Sequence, residues 1–374
     1  VNTADVVVAG GGAVGCAIAF ALARAGHAVA LLERDAVGAH ASRVAAGMLT
    51  PLSDVPGGHE TVPLGLESLA LFPGWVEELR GRTGIDPGLV LSGVLRVAHD
   101  AARAERLQAR AAALAGHGVA WLDAAAARGR EPGLAPGIAG ALWSPREGHV
   151  GAEPWTRACA RAAAALGARV EEGAPVTGLC LRGGRVAGVR TPRGDWSAPW
   201  LVLATGPWAG AEAATLGLPW APPVEPVRGQ IATLVPARPA LSAIAWDERV
   251  YLVPRPDGRV RAGATEERAG FDCRTTEAAV QGLVEAAAAL VPALAGAARA
   301  GAAAGLRPGT PDGLPLLGPA PGVEGLLLAI GHHRHGILLS PVSAQLVVDR
   351  LAGRPAPAAA RAFAPDRFLP PGAC

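Results

Sequence analysis

Asp5-Val6-Val7-Val8-Ala9-Gly10-Gly11-Gly12-Ala13-Val14-Gly15 opens with an apolar run of buried-strand length and closes in a glycine-rich turn. Residues 16–25 follow with helical periodicity, Gly26 closes the helix, and Ala28-Val29-Ala30-Leu31-Leu32 forms a second strand that ends in Glu33. Strand, glycine turn, helix, strand and acid, with Glu33 18 residues beyond Gly15, make a complete dinucleotide-binding βαβ unit. Each part has a physical task. Gly10 permits the tight turn, Gly12 lets backbone approach a pyrophosphate, and Gly15 lets the helix pack closely on the strand. The N-terminus of the helix then faces the phosphates. Glu33 suits both hydroxyls of an adenosine ribose and disfavours a phosphate on it. The unit by itself leaves NAD and FAD both open.

The rest of the composition narrows the function. The chain has 374 residues, enough for two domains or two interleaved halves, with 50% hydrophobic and 18% charged residues. Its formal charge of +2 gives no electrostatic reason to bind nucleic acid. All 34 Lys+Arg positions are arginine, which excludes Schiff-base chemistry through lysine and a phosphate-loop lysine. Cys16, Cys159, Cys180, Cys273 and Cys374 are scattered, without a C-x-x-C pair, and read as buried thiols of a reducing compartment. Residues 6–23 form an uncharged run of 18, but their glycines and the missing basic segment before them argue against a signal peptide or membrane span. The expected protein is soluble and cytoplasmic. Alanine-rich residues 109–115 and 286–304 carry Leu and Val at helical spacing and are expected to be helices.

Nucleotide-type patterns recur along the chain. Residues 169–171, 176–181 and 186–191 read as strands, the last two joined by a Gly183-Gly184 hairpin. The run Trp200-Leu201-Val202-Leu203-Ala204-Thr205-Gly206 is a further buried strand, with a small residue and a glycine where backbone passes close to a cofactor. In the last third, residues 325–330 form a strand followed by Gly331-His332-His333-Arg334-His335-Gly336-Ile337-Leu338-Leu339-Ser340-Pro341, then by helical periodicity to residue 351. Ser340 is expected as N-cap and Pro341 in the first turn, another helix start behind a glycine-bearing loop.

Taken with Ala41-Ser42, Ala45-Ala46-Gly47-Met48-Leu49, Val227-Arg228-Gly229-Gln230, Tyr251-Leu252-Val253-Pro254-Arg255, Gly263-Ala264-Thr265 and Gly305-Leu306-Arg307-Pro308, these motifs carry a resemblance over nearly the whole chain. The sequence resembles the bacterial glycine oxidases of the thiamine pathway, within the D-amino-acid oxidase family of FAD enzymes. The resemblance implies an α/β fold in which a Rossmann-like FAD-binding domain is interleaved with an antiparallel-sheet substrate domain. It implies residues 1–80, 151–222 and 303–374 for the first and 81–150 and 223–302 for the second.

What the resemblance implies for chemistry is oxidative deamination of glycine, N-methylglycine or small neutral D-amino acids. Hydride passes from Cα to flavin N5, the imine hydrolyses, and O2 is reduced to H2O2. No catalytic general base is required, since orienting the C–H bond is most of the task. Arg307 matches the carboxylate-binding arginine and Tyr251 its partner hydroxyl, Arg334 an arginine at the flavin edge, and Met48 with Leu49 an apolar wall. Arg228 reads as structural. The cofactor, FAD held noncovalently, is expected on Gly10, Gly12, Ala13, Val14, Gly15, Glu33, Arg34, Ser42, Ala46, Gly47, Met48, Val176, Thr205, Gly206, Gly331, His332, Arg334, Gly336, Ile337 and Leu338. A tether through His40 is not required by the pattern, and Cys374, in the Pro-rich tail, is the sole cysteine after Cys273. Partners are a small amino acid and O2, with a homotetramer by resemblance. No nucleic acid, membrane insertion or metal is expected.

One departure concerns the loop around Arg334, where relatives carry an aromatic residue and an asparagine and this chain has His333 and His335. Titration of these two near neutrality would alter the pocket. Two other readings stay open: a dehydrogenase of the same fold that uses a quinone or carrier as acceptor, and an FAD-containing binding protein without turnover.

Overall fold

Val6–Ala9 is fully buried because it lies inside a six-stranded sheet and shows one face to each side. A computed structural model describes residues 2–54 and 60–369. The sheet order is Leu316–Pro319, Leu326–Ile330, Trp200–Leu203, Val6–Ala9, Val29–Leu32, Arg169–Glu171, parallel except for the edge strand Leu316–Pro319. Alternation along the first strand divides two cores: Val6 and Val8 join the helical side, Val7 and Ala9 the other. On the helical side Ala13–Arg24 packs against Ala152–Ala165 and Ser340–Leu351. The opposite face is covered by a four-stranded sheet of Asn2–Thr3, Trp196–Ser197, Arg185–Arg190 and Gly178–Arg182. Strand order reverses between Val6–Ala9 and Trp200–Leu203. In open α/β sheets the crevice beyond the carboxyl ends at such a point takes the ligand.

The second sheet has eight strands in the order Ala298–Gly309, Glu225–Val235, Val260–Gly263, Tyr251–Pro254, Ile244–Trp246, Val94–Ala98, Gly140–Ser144, Ala120–Asp123. It is antiparallel apart from the pairing of Ile244–Trp246 with Val94–Ala98. One face buries Leu95, Val97, Leu252 and Ala262 against Val280, Leu283, Ala287 and Leu290 of the helix Glu277–Leu290. The other face puts Val94, Ile231, Ile244 and Val253 against Val44, Ala46 and Met48, which belong to the segment that runs up from the nucleotide end. Substrate-side strands and cofactor-side loop therefore share one small core.

The secondary structure departs from the sequence expectations in three places. The first helix begins at Ala13, directly after Gly12, rather than at residue 16. The alanine-rich residues 286–304 do not form one helix: Glu277–Leu290 ends there, and Ala298–Gly309 is a strand paired with Glu225–Val235 along its length. Tertiary pairing overrides the high helix propensity of alanine. This strand crosses residue 303, so residues 303–309 lie in the eight-stranded sheet. Thirdly, Ser340 lies inside its helix rather than at the N-cap: its hydroxyl donates to the Ile337 carbonyl at 2.8 Å and accepts from Trp155 Nε1 at 3.0 Å. No described helix is long and apolar enough to cross a membrane; the uncharged run 6–23 is a buried strand and a buried helix.

Candidate active site

A single cleft of about 2010 Å³, counting its open mouth, starts at the strand reversal and ends on the eight-stranded sheet. At its nucleotide end Gly10 holds φ +108°, and a Cβ there would lie 2.5 Å from the Ala204 carbonyl oxygen. A Cβ on Gly15 would lie 1.9 Å from the Gly10 oxygen, so strand, turn and helix meet backbone to backbone only with both glycines in place. Gly12 ends this cradle on its open side, and the helix Ala13–Arg24 has neither a capping side chain from its N-cap nor an acid in its first turn. Its positive end is left for an anion. Ser42 Oγ accepts from the Ala13 amide at 2.9 Å and ties the loop over the helix start. Buried Glu33 accepts from the amides of Gly11 at 2.6 Å and Asp35 at 2.8 Å, which braces the turn from the end of its strand. The Arg34 guanidinium lies 3.6 Å from the Trp208 ring centroid, and His40 pairs with Asp35 at 2.7 Å. This cradle, open groove and ribose-side acid fit the pyrophosphate and adenosine of FAD.

The loop between the two ends is fastened by arginines of the eight-stranded sheet. Arg255 donates to the Ala46 carbonyl at 2.7 Å and Arg261 to the Val44 carbonyl at 2.7 Å. His149 Nδ1 lies 2.9 Å from Arg255 Nη1, and burial together with that guanidinium pushes its imidazole down to about 3, so it accepts as a neutral ring. Met48 then faces the cleft from its pairing with His149. Leu49, expected beside it in the wall, is instead fully buried in the helical core and does not line the cleft, because strand alternation turns it away.

At the far end Arg307 and Tyr251 meet. Arg307 Nη1 donates to the Thr265 carbonyl at 3.0 Å, and the guanidinium lies flat over Gly229, where a Cβ would be 2.3 Å from Nη1. A Cβ on Gly263 would sit 2.5 Å from the Tyr251 hydroxyl. Burial raises the Tyr251 pKa, against the opposing pull of Arg307, so the phenol keeps its proton. Behind Tyr251 stands Trp246, edge-on at 6.0 Å, with Arg96 3.8 Å from the Trp246 ring centroid. Arg228, expected to be structural, is held outside the cleft by Glu267 at 2.5 Å and Asp272 at 3.1 Å.

The cleft brings together Gly10, Gly12, Ala13, Val14, Glu33, Arg34, Ser42, Ala46, Gly47, Met48, Val176, Thr205, Gly206, Tyr251, Arg307, His332, Arg334, Gly336 and Ile337. Three expected cofactor residues stand behind this lining. Gly15 backs onto Gly10, Gly331 onto Thr310 and Leu316, and the Leu338 carbonyl accepts the Ser68 hydroxyl at 2.5 Å. Cys374 lies outside the described residues. His332, His333 and His335 do not converge on one point: His332 Nε2 meets Ser343 Oγ at 3.0 Å, while His333 and His335 face Glu266 and Asp54 at 3.5 and 3.6 Å. His333 and His335 are not placed to titrate near neutrality as expected. Burial pushes His333 down to about 4 despite Glu266, and His335 down as well despite Asp54.

The sequence reading missed Glu266 and Asp54. Both carboxylates line the cleft and both reach Arg334: Glu266 through Nη2, Asp54 through Nη1 at 3.7 Å. Burial opposes the Arg334 charge, but these two acids raise its pKa. Glu266 directly follows the Gly263-Ala264-Thr265 motif, which was the available signal.

Comparison with known proteins agrees with this geometry. Residues 5–350 match the family model of the FAD dependent oxidoreductases. A glycine oxidase of Geobacillus kaustophilus is 39% identical over 350 residues, covering 92% of each chain. A bifunctional protein ThiO/ThiG of Synechocystis is 37% identical over 98% of this chain and 54% of its own length. The crystal structure of glycine oxidase from Geobacillus kaustophilus superposes with a TM-score of 0.94, over 99% of this chain and 100% of that one, at 37% identity. The glycine cradle, the interleaved sheets and this end-to-end match establish that the chain belongs to the family of FAD-dependent oxidoreductases, as a homologue of the glycine oxidases.

Proposed function

We propose that this protein is an FAD-dependent oxidase of glycine, N-methylglycine and small neutral D-amino acids. The observation that carries the reading is the pairing of Arg307 and Tyr251 at the far end of the cleft that begins on the glycine cradle. A planar guanidinium matches a carboxylate with two parallel hydrogen bonds, and the neutral phenol adds a third donor. Together they fix one end of an amino acid and leave its α-carbon to the middle of the cleft, beside Met48. Bound FAD would supply the two-electron oxidation of that α-carbon, with dioxygen as final acceptor and hydrogen peroxide as its product.

The residues of this chain bind and orient. Gly10 to Val14 hold the pyrophosphate, Glu33 the ribose, and the segment fastened by Arg255 and Arg261 carries Met48 against the substrate. Holding the C–H bond in line replaces a general base. The product imine hydrolyses in solvent. Attachment is noncovalent in this reading: His40 is engaged by Asp35 and lies tilted against Trp208 at the adenosine end of the cleft. Acid precipitation therefore releases all the flavin, and flavin left in the pellet would contradict it. Peroxide formed with oxygen as the sole acceptor separates this oxidase from a carrier-linked dehydrogenase; turnover only with a quinone or dye would establish the latter.

A further inference from the structure

Adjacent residues of one loop hold both arginines at the substrate end. The Thr265 carbonyl accepts from Arg307, and the next side chain, Glu266, pairs with Arg334. Asp54 approaches Arg334 from the other side at 3.7 Å. We propose that Glu266 restricts the site to substrates with a single carboxylate, by occupying Arg334 and by facing any second carboxylate with its own negative charge. The inference rests on the oxidase reading above and names the substrate class within it.

Arg307 and Arg334 stand against Asp54 and Glu266, and the cleft lining near Tyr251 adds one charge of each sign in Glu248 and Arg249. A zwitterionic amino acid enters without changing their balance. A second carboxylate brings an added negative charge beside Glu266, where Arg334 is already paired. His333 offers no relief, since its buried ring is neutral near pH 7 and its Nε2 already faces Glu266 at 3.5 Å. Glu266 remains 45% exposed in its side chain and stands at the mouth, where a longer substrate would project. Rejection of an alternative through an opposed charge is a common route to specificity. Removing the charge at this one position also leaves Arg334 with Asp54 alone at 3.7 Å, and so able to turn to a second carboxylate.

The experiment compares kcat/KM for iminodiacetate and D-aspartate with that for glycine and D-alanine in the wild-type holoenzyme, Glu266→Gln and Glu266→Asp. In Glu266→Gln the dicarboxylate-to-neutral ratio rises roughly 10- to 100-fold, chiefly through a lower KM, because like charges in a site are strongly unfavourable. Glu266→Asp keeps the wild-type ratio. The wild-type ratio also rises with added salt as the opposed charge is screened, a readout that needs no variant. Wild-type turnover of glycine or D-alanine, with a ratio unmoved by Glu266→Gln and by salt, would overturn this inference and leave the oxidase reading standing. A wild-type flavin that no amino acid reduces would overturn the oxidase reading and this inference with it.

Discussion

Arg307 reaches the cleft because the strand beside it offers no side chain at Gly229. Arg307→Ala is expected to keep FAD and lose about 2 to 5 kcal/mol of transition-state binding, roughly 30-fold to several thousand-fold in kcat/KM. Tyr251→Phe removes one hydrogen bond and costs about 1 kcal/mol. Gly229→Ala places a methyl against the guanidinium and should reproduce much of the Arg307→Ala loss with flavin content unchanged. Steady-state kinetics beside the flavin-to-protein absorbance ratio check all three; equal small losses would mean that the carboxylate binds elsewhere. At this scale the sequence was legible where a motif demands one residue type, as at Gly10, Gly15 and Glu33. It was silent on Glu266 and Asp54, because their role comes from contact with Arg334, 68 and 280 positions away in the chain.

Helices rather than loops hold the cofactor side in place. Phe20, Phe72, Trp75 and Trp155 pack together where Ala13–Arg24, Thr61–Thr83 and Ala152–Ala165 meet, with ring centroids of neighbouring pairs 4.6 to 5.8 Å apart. Trp155 is wholly buried and also donates to Ser340 at the start of the helix behind the His332–Arg334 loop. Trp155→Ala therefore removes a large core side chain and one hydrogen bond, and is expected to destabilise by about 3 to 5 kcal/mol. Urea denaturation measures this directly; a loss below about 1 kcal/mol would show that the cluster repacks freely. Periodicity made most elements legible, since Val6–Ala9 and Trp200–Leu203 are apolar throughout and parallel central strands require that. Ala298–Gly309 was illegible for the opposite reason. Its alanines favour a helix locally, and only pairing with Glu225–Val235 makes them a strand.

In the whole molecule, burial of neutral histidines couples stability to pH. His149 and His332 are held down to about 3 and His333 to about 4, against an ordinary value of 6.5. Below that ordinary value the unfolded chain takes up protons that the native state refuses, so stability falls as pH drops, and above it these groups contribute no slope. Each adds up to about 1.4 kcal/mol per pH unit of acidification until its native value is reached. The urea midpoint of the holoenzyme is expected to decline from about pH 6.5 to about pH 5, before most carboxylates titrate. A flat midpoint over that window would show that the rings are solvated. The central claim concerns chemistry, and anaerobic mixing of the holoenzyme with single amino acids, followed by flavin absorbance, tests it most directly. Glycine, N-methylglycine or D-alanine should bleach the flavin, with L-alanine at least about 100-fold slower, a barrier difference of about 2.7 kcal/mol. Rapid bleaching by L-alanine while glycine, N-methylglycine, D-alanine and D-proline leave the flavin oxidised would contradict it.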